Sequence, residues 1–302
     1  MSSAAALETR GLGKRFGQHW ALRDCTVTIP RGRVTALVGP NGAGKTTLLH
    51  LAVGLTEPTT GDVTVLGASP QRDAATLLPR IGFVAQDHPL FRSFTLGELL
   101  RMGAKLNPRW DDAIARERLA KLSLSLQRKC GSLSGGEQAQ VALSLALAKR
   151  PEFLLLDEPV ASLDPLARRD FLQSLLEAVV DDELTVLLSS HILSDLERVC
   201  DHVVVLSRAH LELAGDIEQV LAEHRVLIGA RSESASLGRV GTIVQASHTE
   251  RQTTLLVRAS GHLYDARWSV SEPGLEEIVL AYLAHRPPAN ESNERVQLRV
   301  AS

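Results

Sequence analysis

The sequence predicts an α/β fold built on a parallel sheet covered on both faces. Three observations predict it. From about residue 33 to about 220, strand-like and helix-like segments alternate, the order that βαβ units impose. Two strand-like segments, FLLLD at 153–157 and TVLLSS at 185–190, are short and almost wholly apolar, as strands buried on both faces are. A glycine-rich stretch, GPNGAGKT at 39–46, stands between the apolar run VTALV and the helical run KTTLLHLAVGL, so a strand enters it and a helix leaves it.

The elements follow in order. LETRGL from Leu7, CTVTI from Cys25 and VTALV from Val34 read as strands, with Pro30 and Gly32 marking a turn before the last. The helix after the glycine loop is ended by Thr56-Glu57-Pro58, and GDVTVLG and IGFVAQ are the next strands. Residues 95–129 read as mostly helical, with polar breaks around Asn107-Pro108. A helix follows SLSGGEQ at 132–138; then come the FLLLD strand, a helix from about Pro165 to Val180, and LTVLLSS. After about residue 223 the character changes. HRVLIGAR, GTIVQAS and TTLLVRAS read as short strands of a separate small unit. GLEEIVLAYLAH closes that unit, with Leu275, Ile278, Val279, Tyr282 and Leu283 on one helix face. The tail from Pro287 has the composition of a disordered end. The expected organisation is a first domain over 1–222, a small domain over 223–286 and a tail over 287–302.

The totals exclude several classes. With 302 residues, 44% hydrophobic and 23% charged, the chain has the composition of a soluble globular protein. A net charge of −2 gives no reason to expect a nucleic-acid partner. Cys25, Cys130 and Cys200 lie far apart, which suggests reduced thiols and neither a disulfide framework nor a zinc cluster. MSSAAALETR lacks a basic region followed by an apolar one, so no signal peptide is read. No run approaches the roughly 18 apolar residues of a membrane span. If this chain works at a membrane, another chain does the spanning.

GPNGAGKT carries chemistry by itself, and FLLLDE gains it from its place downstream of that loop. GPNGAGKT fits G-x-x-x-x-G-K-[ST], and its strand-before, helix-after setting is the one that pattern requires. Its glycines let backbone N–H groups close around phosphate. Lys45 would reach the β- and γ-phosphates of a nucleoside triphosphate, and the Thr46 hydroxyl would ligate Mg²⁺. FLLLDE ends an apolar strand in two acids: Asp157 would hold the metal through water, and Glu158 would orient or deprotonate an attacking water. A third stretch, SLSGGEQ, is ambiguous. Ser134, Gly135 and Gly136 open a long apolar-periodic run, so they are either an ordinary N-cap or a helix start that meets an anion.

The order GPNGAGKT, Gln86 after a strand, LSGGE, FLLLDE, SLD and His191 after the next strand resembles the ATP-binding subunit of ABC transporters. The resemblance covers about residues 7–220. It implies a P-loop nucleotide-binding core with a mixed sheet, a helical subdomain at about 87–140 and a small α+β C-terminal appendage. The cofactors implied are ATP and Mg²⁺. Residues 39–47 (Gly39, Pro40, Asn41, Gly42, Ala43, Gly44, Lys45, Thr46, Thr47) would hold the phosphates. Gln86 would sense the metal and γ-phosphate, and His191 would touch the γ-phosphate. Phe16, in KRFG, would stack on adenine, with Trp20 a competing platform. Asp164, in ASLDP, would contact a second subunit while also serving as an N-cap. In this family two such domains pair head to tail, so Ser134, Gly135 and Gly136 would serve the ATP of the partner subunit. The sequence departs from the family at Glu137, where Gln is usual.

The function so implied is ATP hydrolysis that powers transport through a separate integral-membrane permease. The chain would then lie on the cytoplasmic face of the cell membrane, as a homodimer or paired with a related ATPase subunit. The C-terminal unit, ending WSV and then EPGLEEIVLAYL, resembles ATPases of bacterial ABC-2-type exporters, which implies outward transport. The alternative is a non-transport ABC ATPase of translation or DNA repair. Those relatives usually fuse two motif sets or insert a long coiled coil, and the stretch between Gln86 and Ser134 is too short for one.

Overall fold

The computed structural model describes residues 5–182, 184–192, 196–197, 199–231, 241–259 and 267–284. Among them, strands β1 to β10 are Ala5–Phe16, His19–Cys25, Thr28–Pro30, Val34–Val38, Thr60–Val65, Ile81–Val84, Phe153–Leu156, Thr185–Ser190, His202–Ser207 and His210–Asp216. Helices α1 to α6 are Lys45–Ala52, Ala74–Leu77, Leu96–Leu106, Asp112–Lys121, Gly135–Ala148 and Pro165–Asp182. Then follow α7 (Ile217–Glu223), β11 (His224–Ala230), β12 (Thr242–His248), β13 (Gln252–Arg258), β14 (Trp268–Ser271) and α8 (Leu275–Ala284).

The predicted sheet is present, in the order β10-β9-β4-β8-β7-β6. The β4–β8, β4–β9, β7–β8 and β6–β7 pairs are parallel. All of β4, β7 and β8 is buried, which is why these segments carry no polar alternation. A second, antiparallel sheet pairs β1 with β2, β3 and β5. One strand thus serves three partners. The single strand read at CTVTI is divided: Cys25 ends β2, and β3 begins at Thr28. A continuous core of Leu7, Ile29, Leu48, Leu49, Phe153 and Leu206 joins the two sheets through α1.

The stretch read as mostly helical contains α3 and α4, with residues 122–129 irregular. Thr95 caps α3 through a reciprocal box with Glu98. Leu96, Leu99, Leu100 and Leu119 form a separate apolar cluster with Val141 of α5.

The chain divides into two compact units at Ala214/Gly215. The second begins at Gly215, near the end of β10, and takes in α7, which the sequence reading had grouped with the first. Within it, an antiparallel sheet runs β12-β13-β11-β14. Gly229 leaves room for the Trp268 ring, which a Cβ there would meet at 2.8 Å. Leu275, Ile278 and Val279 of α8 are buried, as the helix face predicts, and Tyr282 and Leu283 are half-buried. The tail from Pro287 lies outside the described residues.

Candidate nucleotide site

The site forms where β4, β7 and β8 end. Gly39 follows β4 directly, and a Cβ at this position would overlap the Leu206 carbonyl oxygen. Gly42 and Gly44 adopt φ of 80° and 106°, left-handed values that favour glycine. Gly44 caps α1 with no side-chain hydrogen bond, so the amides of the first turn point outward with the positive end of the helix dipole. Lys45, 5% exposed, folds back over this loop. Its Nζ donates to the Gly39 and Pro40 carbonyls at 2.7 and 3.3 Å and lies 3.0 Å from Glu158 Oε1.

The two acids at the end of β7 are held differently. Asp157 is 2% exposed, and its Oδ1 accepts from Ser189 Oγ at 2.8 Å. That hydroxyl in turn accepts from the Glu158 backbone N–H at 2.8 Å. Ser189 therefore ties both acids to β8. The sequence reading missed it, because a serine in an apolar strand has no motif to mark it. Glu158 sits at φ 42°, a strained value for a residue with a Cβ, of the kind found at functional sites. Its Oε2 accepts from His191 Nδ1 at 2.9 Å. A carboxylate can only accept, so the proton lies on Nδ1. Burial alone would push the Glu158 carboxyl up. Lys45 and His191 outweigh it and hold the carboxyl below its ordinary value, hence ionised.

Asn41 to Thr47, Gln86 and Glu158 line one cavity of about 350 Å³, with His19 and Ala21. His191 is joined to this lining by its hydrogen bond to Glu158, and Asp157 does not line the cavity. Phe16 does not line it; it is 55% exposed, with Lys14 Nζ 5.1 Å above its ring. Trp20 is half-buried and packs against Gly13, which leaves Phe16 the freer of the two rings. Ser134, Gly135, Gly136 and Asp164 do not line it either. Asp164 caps α6, accepting from Leu166 N and Ala167 N at 3.0 Å each.

Ser134 caps α5 in a reciprocal box with Glu137: Ser134 Oγ accepts from Glu137 N at 3.2 Å, and Ser134 N donates to Glu137 Oε2 at 2.7 Å. Arg128 grips the same carboxylate by two hydrogen bonds of 2.7 and 2.9 Å. Burial would raise the Glu137 carboxyl. The Ser134 amide and Arg128 outweigh it, so the group stays ionised and neutralised where it stands. Ser134 and Gly135 are exposed beside it.

A thiol role is absent from this geometry. All three cysteines are free and buried, and burial pushes Cys25 up to about 11 and Cys200 to about 12.

Known proteins share the sequence family and fold of this core. The sequence profile of the family described as ABC transporter matches residues 22–161. The sulfate/thiosulfate import ATP-binding protein CysA of Vibrio vulnificus (strain CMCP6) is 34% identical over 227 residues, covering 71% of this chain and 65% of that protein. This chain therefore spans just under two thirds of the length of that relative. The Nod factor export ATP-binding protein I of Rhizobium johnstonii (strain DSM 114642 / LMG 32736 / 3841) is 34% identical over 209 residues, 68% of this chain and 67% of that protein. A solved ATP-binding subunit of an ABC transporter superposes with a TM-score of 0.65 at 29% identity, over 72% of this chain and 92% of its own. A dimeric ATP-binding cassette in a post-hydrolysis state, bound to ADP and Pi, superposes at 0.62 and 26% identity, over 70% and 98%. Import and export relatives, and cassettes solved with and without nucleotide, share this one core, and the chain belongs with them, to the family of ABC transporter ATP-binding proteins.

Proposed function

We propose that this chain binds and hydrolyses ATP, and that it powers transport through a separate membrane permease. The observation that carries the proposal is the link between phosphate loop and acid: Lys45 and His191 both hold the ionised Glu158 at the mouth of the glycine loop. Glu158 would orient and deprotonate the attacking water, and His191 would fix the carboxylate and take up charge beside the γ-phosphate. Thr46, Gln86 and Asp157 offer hydroxyl, amide and carboxylate oxygens, a hard donor set that suits Mg²⁺. Among the described residues, no group of three His, Cys, Asp or Glu could hold a metal alone. The ion would therefore be shared with the nucleotide. The chemistry it supplies is neutralisation of phosphate charge.

Ser134, Gly135 and Gly136 are absent from the lining of the cavity around Lys45. That supports a head-to-tail pair in which they meet the ATP of a second subunit, with Asp164 at the contact. A solved relative of this core is dimeric. Among the described residues, no helix is long and apolar enough to cross a membrane. An apolar groove of about 530 Å³, lined by Leu55, Phe83, Leu90, Met102, Leu106 and Trp110 among others, opens beside the segment that follows Gln86. That groove suits a helix of the permease, which would hold the chain at the cytoplasmic face of the membrane. Outward transport rests on the C-terminal unit alone, since similar proteins act in import and in export.

Steady-state Mg-ATPase rate against protein concentration tests the proposal, with Ser134→Arg and Glu158→Gln variants alongside. The expected result is a rate that rises faster than linearly and falls about 10²-fold or more in either variant. A flat, negligible rate with ATP still bound overturns the self-sufficient dimer. Direction is read separately, from solute accumulation in right-side-out against inverted vesicles that hold the chain with its permease.

A further inference from the structure

The strand ends opposite the phosphate loop carry a second charged site. Arg31 and Gly32 lie in the turn before β4, Glu152 immediately precedes β7, and Thr185 opens β8. With Arg109 and Arg150 they border one open cavity of about 730 Å³, within the size range of small-molecule sites. Glu152 anchors the cluster. Arg80 grips its carboxylate with hydrogen bonds of 2.8 and 2.7 Å, Arg109 adds one of 2.9 Å, and Arg31 lies 4.0 Å away. Among the described residues, the Arg150 side chain pairs with Asp111, at 3.7 Å.

Three guanidinium groups therefore share one carboxylate. Arg80 foremost, then Arg109, hold the Glu152 carboxyl at about 2 against the opposing effect of burial. Among the described side chains, one ionised carboxylate neutralises one of those cations, so these guanidinium groups leave positive charge over at the cavity. Arg31, Arg109 and Arg150 keep 38%, 43% and 57% of their side-chain surface open to solvent. A guanidinium fork matches the oxygens of a phosphate or carboxylate in pairs. Surplus charge above one favours the anion that carries more than one charge, which is phosphate.

We propose that this cavity is a second anion site, for a small ligand bearing a phosphate or diphosphate group, seated against Arg31, Arg109 and Arg150. The same strands carry Gly39, Asp157 and His191 at their other ends, across segments of 5, 4 and 6 residues. A ligand here bears on the strands that set the phosphate loop without touching that loop.

The test is calorimetric titration of inorganic pyrophosphate into the full chain already saturated with ADP, so that the phosphate loop is filled. One further binding event is expected, weakening as salt rises. It should weaken about tenfold or more in an Arg31→Gln/Arg109→Gln variant, and less in Arg150→Gln, whose loose ion pair makes it the safer variant for folding. Glu152→Gln removes the competing carboxylate and should tighten binding about tenfold, while melting temperature reports whether the variant folds. An ion-pair cluster that only supports the strand ends gives no second binding event. Absence of the second event in the wild type, or an affinity unmoved by Arg150→Gln and Glu152→Gln, overturns the proposal.

Discussion

Glu137 shows how one residue keeps a charge from doing harm. A carboxylate facing a phosphate would repel it, yet here Arg128 and the Ser134 amide hold it at the base of α5. In Arg128→Gln the freed carboxylate should lower ATPase rate several-fold. Adding Glu137→Gln should restore it, since an amide has no charge to misplace; a double variant as slow as the single would reject this account. Ser189 gives a second case. In Ser189→Ala, Asp157 loses its hydroxyl donor and the Glu158 amide its acceptor, costing about 1–3 kcal/mol of stability. The ATPase kcat should fall more than KM rises, because the loop that binds phosphate is untouched. Neither link was legible in the sequence. Ser189 lies 31 and 32 positions from its partners, and Arg128 9 positions from Glu137, so nothing local announces them. Lys45 and Thr46 were legible because their spacing within a strand-turn-helix is itself the signal, and Glu158 because it is the second of two acids that follow an apolar strand.

Among elements, the parallel strands were the most readable, since burial on both faces leaves an apolar run with little ambiguity. The antiparallel sheet was less so. β1 extends through Gly11 and Gly13 to Phe16 with irregular register, and its alternation is broken where the bulges fall. The Glu152 cluster that braces the start of β7 gives this scale a pH prediction. Its folded carboxyl sits at about 2 against an ordinary 4.5, a depressed value. The stabilisation is thus complete above about pH 4.5 and lost as pH falls through about 2. Melting temperature should drop on acidification in the wild type and drop less in Arg80→Gln; parallel curves would count against the cluster. The loop after β4 has a steric prediction. Gly39→Ala drives a methyl group into the Leu206 carbonyl and should abolish binding of a fluorescent ATP analogue.

For the whole molecule, the site residues all precede Ala214, where the chain divides. Cutting after Asp216, the end of β10, should leave affinity for an ATP analogue within about twofold, and a lost site would mean the C-terminal unit completes it. Leu106, 70% exposed at the groove, should matter only to assembly. Leu106→Asp should leave the basal ATPase unchanged and lose co-purification with the permease. The parallel sheet has a further consequence, in the order in which the chain is made. β1 finds β2, β3 and β5 within its near sequence, so that sheet can close early. β4 waits: Val34 donates to Asp201, 167 positions later, and among the described residues its neighbours in the sheet are β8 and β9. Gly39 packs on the Leu206 carbonyl. A ribosome releasing this chain from the N-terminus therefore exposes the nucleotide loop long before its supports exist. Competence to hold ATP arrives late in synthesis, after β9 has emerged, and an incomplete chain has no means of consuming it.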